Sequence, residues 1–566
     1  MEPAKLTLDA LKGAYQQGTT PTDVAQQLFP KVAASKHVFL GKPTLEDVVK
    51  RCSELESLQV GERGQLWGIP FAVKDNIDVA GFPTTCACPD FAYTPEAHAP
   101  VVQALLDAGG VFMGKTNLDQ FACGLVGTRT PYGVPANAFD DRFVPGGSSC
   151  GSAVAVAEGM VSFALGTDTA GSGRVPAGLN GIVGIKPSVG RFSTRGVVPA
   201  CYLLDCVSVF ALTAEDGHTV ATIMENDNIA DPTYRPRNAQ LLHRQYSPGS
   251  PFRFALPQPE FLDFSGPGGE PMRTAMEQQM AAAAERLQAL GGQQVDIDFA
   301  PFAEAAALLY GAPFVAERYA GIRAFLEGSG APPPGSTVDI LPDERLLKVI
   351  RAIISRTSRF SAADVFAGLQ RLSELKAAAR VELAKFDVLV VPTAAYNYTV
   401  QEVQAEEDDP SLSAMLSALP PKNANLGRFT NFVNLLDMCG VSVYSGLLRV
   451  PGDGESEASA GQGVDPQQAR RRDHLAATGN PCPVLPFGIT LLGPAWTDAY
   501  VAALAAAYGR ATGLAAGPAG HGVVPYRMPS GTAAAAAKGG LSTREALAAM
   551  REQAESGKGC AVGCGI

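Results

Sequence analysis

The sequence predicts an α/β fold: an open sheet of buried strands with helices on both faces. Two observations carry the prediction. From Gly68 to about Ser208, short apolar runs alternate with helical patterns at short intervals, as strands and their covering helices do. The runs at 160–166 and 386–394 are nearly continuous in apolar residues instead of alternating with polar ones, the mark of a strand buried on both faces. With 566 residues and 46% apolar content, the chain can bury a large core and has length for more than one domain.

Taken in order, residues 4–60 read as helices that cover the core. Thr20-Pro-Thr-Asp23 marks a helix start, with a capping hydroxyl, a proline in the first turn and an acid near the positive end of the dipole. GIPFAVKDNIDVAG (68–81) is an apolar strand that carries Lys74 to its end. In 98–122 a helix stops at Gly109-Gly110 and a strand follows, ended by Lys115; no serine turn accompanies it, so Lys115 reads as structural. CGSAVAVAE (150–158) reads as a helix of small side chains lying close to the sheet, and MVSFALG (160–166) as the strand after it. A polar stretch at about 225–250 reads as a surface linker, and FRFALP (252–257) resumes as a strand. A long helix then runs from about Glu270 to Leu290, stopped by Gly291-Gly292. Residues 302–326 read as one helix, in which Tyr310 and Arg318, eight residues apart, could point the same way. Residues 430–448 read as a capped helix leading into a strand. The Gly/Ser-rich run at about 451–475 reads as a disordered surface insertion.

Composition removes several functions. The net charge of −11 and pI of about 5.2 argue against a nucleic-acid or anionic-membrane partner. Eleven cysteines form no regular framework, Cys86 and Cys88 are one residue apart, and no Cys/His set has zinc spacing, so no metal is expected and reduced cytoplasmic thiols are the default. The N-terminus shows neither a signal core nor a transit bias, and no apolar run reaches membrane-spanning length.

The stretch at 143–178 organises the chemistry. It opens on Gly146-Gly147-Ser148-Ser149, passes through the small-residue helix and the strand, and closes on a second Gly/Ser turn at Ser172. Reactive groups in α/β layers gather at the carboxyl ends of strands, so both serines are expected to face one cleft. A serine nucleophile needs a base, and none of the six histidines lies in this stretch. Lys74, carried into the cleft by a buried strand, would lose solvation and become partly neutral, as a base must be. Lys74, Ser148 and Ser172 thus form a candidate relay, with the backbone amides of Thr169, Ala170, Gly171 and Ser172 as a candidate oxyanion hole. Asp168 and Arg174 read as a salt bridge bracing the turn. A competing pattern exists: Gly147-Ser-Ser-Cys-Gly151 fits a G-x-S-x-G elbow, which would make Ser149 the nucleophile with His218 or His243 as base, but it leaves Lys74 and the second turn unused.

Three motifs in order resemble the amidase signature family: VKDN at Val73–Asn76, GGSS at Gly146–Ser149 and GTDTAGSGRVPA at Gly166–Ala177. The resemblance implies a large mixed central sheet, Ser172 as nucleophile, Ser148 as a bridging serine after a cis peptide bond, and Lys74 as base. LLYGAPFVAERY, the TAGSGR turn and LDCVSVFA narrow it to the allophanate hydrolase branch, which implies substrate binding by Tyr310 and Arg318. By the same resemblance the expected activity is hydrolysis of the terminal amide of allophanate, with no cofactor, a homodimer and a functional link to a urea carboxylase. The matching catalytic domain spans 1–514. The tail at 515–566 is of low complexity, with no counterpart of the branch's carboxy-terminal domain, and Cys150 stands where the family tolerates small residues. The alternatives are a broader amidase, an amidotransferase A-type subunit, or an idle binding subunit.

Overall fold

Strand after strand in this chain is buried along its whole length, and that dictates the architecture. The strands are β1 (Phe39–Gly41), β2 (Pro70–Lys74), β3 (Val111–Thr116), β4 (Phe163–Asp168), β5 (Val183–Lys186), β6 (Cys206–Ala211), β7 (Phe252–Ala255), β8 (Gly292–Val295), β9 (Val388–Pro392), β10 (Met438–Arg449) and β11 (Val484–Pro494). Every residue of β2, β4, β5, β6 and β9 is buried. Successive side chains point to opposite faces of a sheet, so these strands must be covered on both. They join one sheet in the order β1-β3-β2-β4-β6-β5-β10-β11-β9-β7-β8. The sheet is mixed: β3, β2 and β4 run parallel, as do β9, β7 and β8, while the centre from β4 to β9 is antiparallel.

The computed structural model describes residues 6–237, 244–311, 313–328, 343–409, 421–449, 484–514 and 516–517. All belong to the unit Met1–Gly522; the second unit, Val523–Ile566, lies outside the described residues. So do the expected insertion at 451–475 and, apart from Ala516 and Gly517, the expected tail. Among the described residues no helix is long and apolar enough to cross a membrane.

Local signals and structure agree at several points. The helix Pro21–Ala34 starts on a capping box in which Thr20 Oγ1 accepts from Asp23 N at 3.1 Å and Thr20 N donates to Asp23 Oδ2 at 2.9 Å. The helix Cys150–Ala157 is buried at all eight residues and lies against β2, β3, β4 and β6. Lys115 is held by Asp75 Oδ1 at 3.4 Å and donates to Thr84 Oγ1 at 3.0 Å.

Three expectations are corrected. The strand placed at 160–166 runs at Phe163–Asp168, because the turn after the small-residue helix extends to Ser162, whose amide donates to Pro70 O. Gly292 does not stop the long helix, which spans Gly269–Ala289; Gly291 turns the chain at φ +95° and Gly292 already opens β8. The single helix expected at 302–326 is two, Ala300–Gly311 and Val315–Glu327. Pro313 lies between them and lacks the N–H that would continue the first.

The second of these helices packs with Lys348–Ser355 around a separate apolar cluster that includes Cys88, Phe121, Val315, Ile322, Ile350 and Ile353. This satellite core anchors the segment that carries Arg318.

A close backbone approach fixes the small-residue helix. A Cβ at Gly151 would lie 2.5 Å from Val38 O and 2.6 Å from Asn117 N. Gly151→Ala is therefore expected to lower unfolding stability by about 1–3 kcal/mol, the range for overpacking, read as a reduced urea midpoint at unchanged slope.

Candidate active site

β2 and β4 are parallel neighbours, with Val73 opposite Leu165, so their carboxyl ends open on the same edge. β2 ends on Lys74 and β4 on Asp168. Lys74 is fully buried, and its Nζ donates to Ser148 Oγ at 2.8 Å and to Thr167 Oγ1 at 2.8 Å. Asn76 Nδ2 donates to the same threonine at 3.3 Å. Among the described residues Lys74 has no carboxylate at ion-pair distance. Burial pulls its pKa down to about 8, against the opposing influence of Cys150, Asp119, Cys86 and Asp205.

The turn bearing Ser148 rests on Asp119. The Gly147–Ser148 peptide is cis. Ser148 O accepts from Asp119 N at 3.0 Å, and the Asp119 carboxylate accepts from Gly127 N at 3.0 Å and Arg129 N at 2.9 Å. A Cβ at Gly147 would fall 2.0 Å from Asp119 Oδ2, so only glycine lets the turn lie this close.

The second turn is built around Asp168. Its carboxylate accepts from Arg174 Nε and Nη2, each at 2.9 Å, and from the amides of Gly171 and Gly173, each at 3.0 Å. Burial alone would raise the pKa of Asp168, but the charge and hydrogen bonds of Arg174 hold it below the usual carboxylate value. Thr430 Oγ1 donates to Ala170 O at 2.7 Å, and Asn434 Nδ2 donates to Asp168 O at 2.8 Å. Ser172, 3% exposed, sits in this braced turn just past β4. Lys74 and Ser148 are thus in direct contact, whereas Ser172 Oγ makes no hydrogen bond to Ser148 in this structure. Of the four amides expected at an oxyanion hole, that of Gly171 is committed to Asp168, which departs from the expectation; those of Thr169, Ala170 and Ser172 remain.

Tyr310 and Arg318 meet despite the break between their helices. Arg318 Nη2 donates to Tyr310 OH at 2.7 Å, its guanidinium lies 4.8 Å from the Tyr310 ring centroid, and Nη1 donates to Ala122 O at 3.4 Å. Ala122 belongs to the turn that follows Asp119, so Arg318 is tied to the segment supporting Ser148. Arg318 is 4% exposed, has no carboxylate partner among the described residues, and leaves Nε buried without an acceptor. Tyr310 also lines a cavity of about 1060 Å³, as does Asn431, the neighbour of Thr430; neither Ser148 nor Ser172 is among its described lining residues.

The elbow arrangement is absent among the described residues. Ser149 Oγ donates to Thr167 O at 3.2 Å, and His218 makes no bond to it. His243 lies outside the described residues. No three His, Cys, Asp or Glu side chains among the described residues are grouped to hold a metal. Sequence reasoning missed Thr167, Asp119 and Thr430. Thr167 had a signal, being the one hydroxyl-bearing residue of β4, but Thr430 lies 260 residues from its partner and had none.

The buried pair of Asp168 and Arg174 gives a stability test. Arg174→Met leaves the Asp168 carboxylate buried without its cation and is expected to cost about 3–5 kcal/mol, measured by chemical unfolding; replacing both residues together should cost less than the sum of the two single changes.

The chain is 40% identical over 417 residues to a urea amidolyase of Saccharomyces cerevisiae, covering 74% of this chain and 21% of that one. It is 42% identical over 383 residues to a urea amidolyase of Lachancea kluyveri, covering 68% of this chain and 19% of that one. The matched region therefore spans about one fifth of the length of either relative. The fold superposes on a Kluyveromyces lactis allophanate hydrolase structure with a TM-score of 0.72 at 35% identity, covering 89% of this chain and 72% of that one. The family model described as Amidase matches residues 34–501. With that match spanning most of its length and the three motifs gathered at one sheet edge, the chain belongs to the amidase family.

Proposed function

We propose that this chain is an amidohydrolase that cleaves the terminal amide of allophanate and releases ammonia. The observation that carries the reading is the buried amine of Lys74, without a carboxylate partner among the described residues and bonded to Ser148 Oγ at 2.8 Å. A lysine in that setting has a neutral fraction able to accept a proton, which an ion-paired lysine lacks.

Each group then has a task. Ser172 Oγ attacks the terminal carbonyl carbon while its proton passes to Ser148 Oγ and the Ser148 proton passes to Lys74 Nζ. The new oxyanion is held by the amides of Thr169, Ala170 and Ser172. Return of the proton through Ser148 to the amide nitrogen breaks the C–N bond, and ammonia leaves an acyl-Ser172. Water attacks that ester by the same relay, freeing Ser172 and a product bearing two carboxylates on one nitrogen. Arg318, braced by Tyr310, binds the substrate carboxylate through parallel hydrogen bonds. The similarity to the K. lactis allophanate hydrolase supports this substrate over simple amides. The same reading makes the enzyme a cytoplasmic homodimer that needs no cofactor and acts on the product of a urea carboxylase.

The test is ammonia release from allophanate. Wild type should be active, Ser172→Ala should lose activity about 10⁴-fold or more, and Lys74→Ala about 10²–10⁴-fold. Activity on simple amides or on glutamyl transfer RNA without activity on allophanate would reject the substrate. A fluorophosphonate should label wild type and not Ser172→Ala; equal labelling of both would return Ser149 to consideration.

The pH profile follows from Lys74. Its amine is protonated below a pKa of about 8 and neutral above it. Because the neutral form is the base, kcat/KM should rise about tenfold per pH unit below that value and level off above it. A profile flat from pH 6 to 9 would exclude Lys74 as the titrating base.

A further inference from the structure

The cavity beside Tyr310 holds a second guanidinium that nothing among the described residues neutralises. Arg356 opens the 3₁₀ turn Arg356–Arg359, which packs against the helix Val315–Glu327 that carries Arg318. It lines the cavity and is 7% exposed. Among the described residues it makes no side-chain hydrogen bond or ion pair, and its Nη1 is buried without an acceptor. Burial, then the charge of Arg359, lowers its pKa from the ordinary arginine value, the direction expected where no anion is at hand. The other cations of the wall differ. Lys422 Nζ pairs with Glu406 at 2.7 Å, and Arg428 Nη1 with Asp263 at 3.1 Å. The remaining charged lining residue, Glu260, is exposed.

The same cavity is lined by acceptors without donors among the described residues. Asn425 and Asn431 both line the cavity, and the Oδ1 of each is buried with no hydrogen-bond partner. Asn431 adjoins Thr430, which bonds the turn of Ser172, and Tyr310 holds Arg318. The cavity lining therefore includes the sequence neighbour of a residue that bonds the catalytic turn and the tyrosine that holds the Arg318 guanidinium.

A cation and amide oxygens that line one cavity without partners among the described residues complement one ligand class: a small molecule with a carboxylate and amide or ureido N–H groups. We propose that Arg356 is a specificity-determining residue that docks the carboxylate of such a substrate in this cavity before it reaches Arg318, with Asn425 and Asn431 accepting its N–H groups. The inference rests on the proposed activity and adds to it a point of charge selection ahead of the chemical step. An uncharged amide offers Arg356 nothing to hold.

The experiment compares wild type, Arg356→Met and Arg356→Lys on allophanate and on propionamide, a neutral amide, with thermal melts to verify folding. Arg356→Met should raise KM for allophanate about tenfold with kcat within about twofold, the result of slower capture at a docking step that precedes the chemistry, and leave the kinetics on propionamide unchanged. Arg356→Lys should recover part of the loss, because a point charge attracts a carboxylate but cannot hold it bidentately. If Arg356→Met does not fold, the rise in KM for allophanate alone in Arg356→Lys carries the same conclusion. An unchanged KM for allophanate, or an equal rise for both substrates, overturns the inference. Wild-type enzyme that releases no ammonia from allophanate overturns instead the activity on which the inference rests.

Discussion

An amine with no carboxylate partner among the described residues, sealed at the end of a fully buried strand, is the constraint on which the rest of this structure depends. Removing an ammonium from water disfavours its charged form, and a bonded carboxylate would restore it. The protein keeps its nearby acids occupied elsewhere. Asp168 is taken by Arg174 and two glycine amides, Asp119 by the amides of Gly127 and Arg129, and Asp205 by Thr169 Oγ1 and the amides of Ala200 and Cys201. Each acid shapes a turn while staying out of hydrogen-bond contact with Lys74, whose two partners are neutral hydroxyls.

The two serine turns are positioned from opposite directions. The Ser148 turn is held from the N-terminal side by Asp119, close in sequence and fixed by the turn after β3. The Ser172 turn is clasped from the far side by Thr430 and Asn434, contributed by the segment leading into β10. Between them the all-small helix Cys150–Ala157 lets the first turn approach the sheet edge, since larger side chains on it would push the helix away from β2 and β4. The site is therefore a property of the assembled sheet and not of the stretch that carries its serines.

Arg318 is presented by a helix that packs on a different part of the core. Pro313 interrupts what would be one long helix, and the second piece, packed on its own apolar cluster, turns Arg318 back onto Tyr310. On one unbroken helix the two residues would stack two turns apart, about 12 Å along the axis. The break shortens that to a hydrogen bond, and it orients the guanidinium by ring stacking as well as by the hydroxyl.

Much of this was legible in the chain. The unbroken apolar runs identified buried strands, the Thr20 cap started its helix where expected, and the Lys74, Ser148 and Ser172 motifs lie at one edge because strand ends and Gly-rich turns encode local geometry. Thr430 and Asn434 were not legible, because a side chain hundreds of residues from its partner has no periodicity or spacing that names it; the Asp119 support and Arg356, without a partner among the described residues, were not legible either, because burial and pairing leave no pattern in a single residue. The helix break at Pro313 was written in the sequence as a missing donor, yet its consequence, the contact of Tyr310 with Arg318, was not. By itself the sequence determined which residues could react and on which local turns they stand. Only the tertiary structure decided which buried charges are neutralised and which lack a partner among the described residues, since ionisation and pairing depend on what the folded chain places within a few ångströms, and that distance exists only once the sheet has assembled.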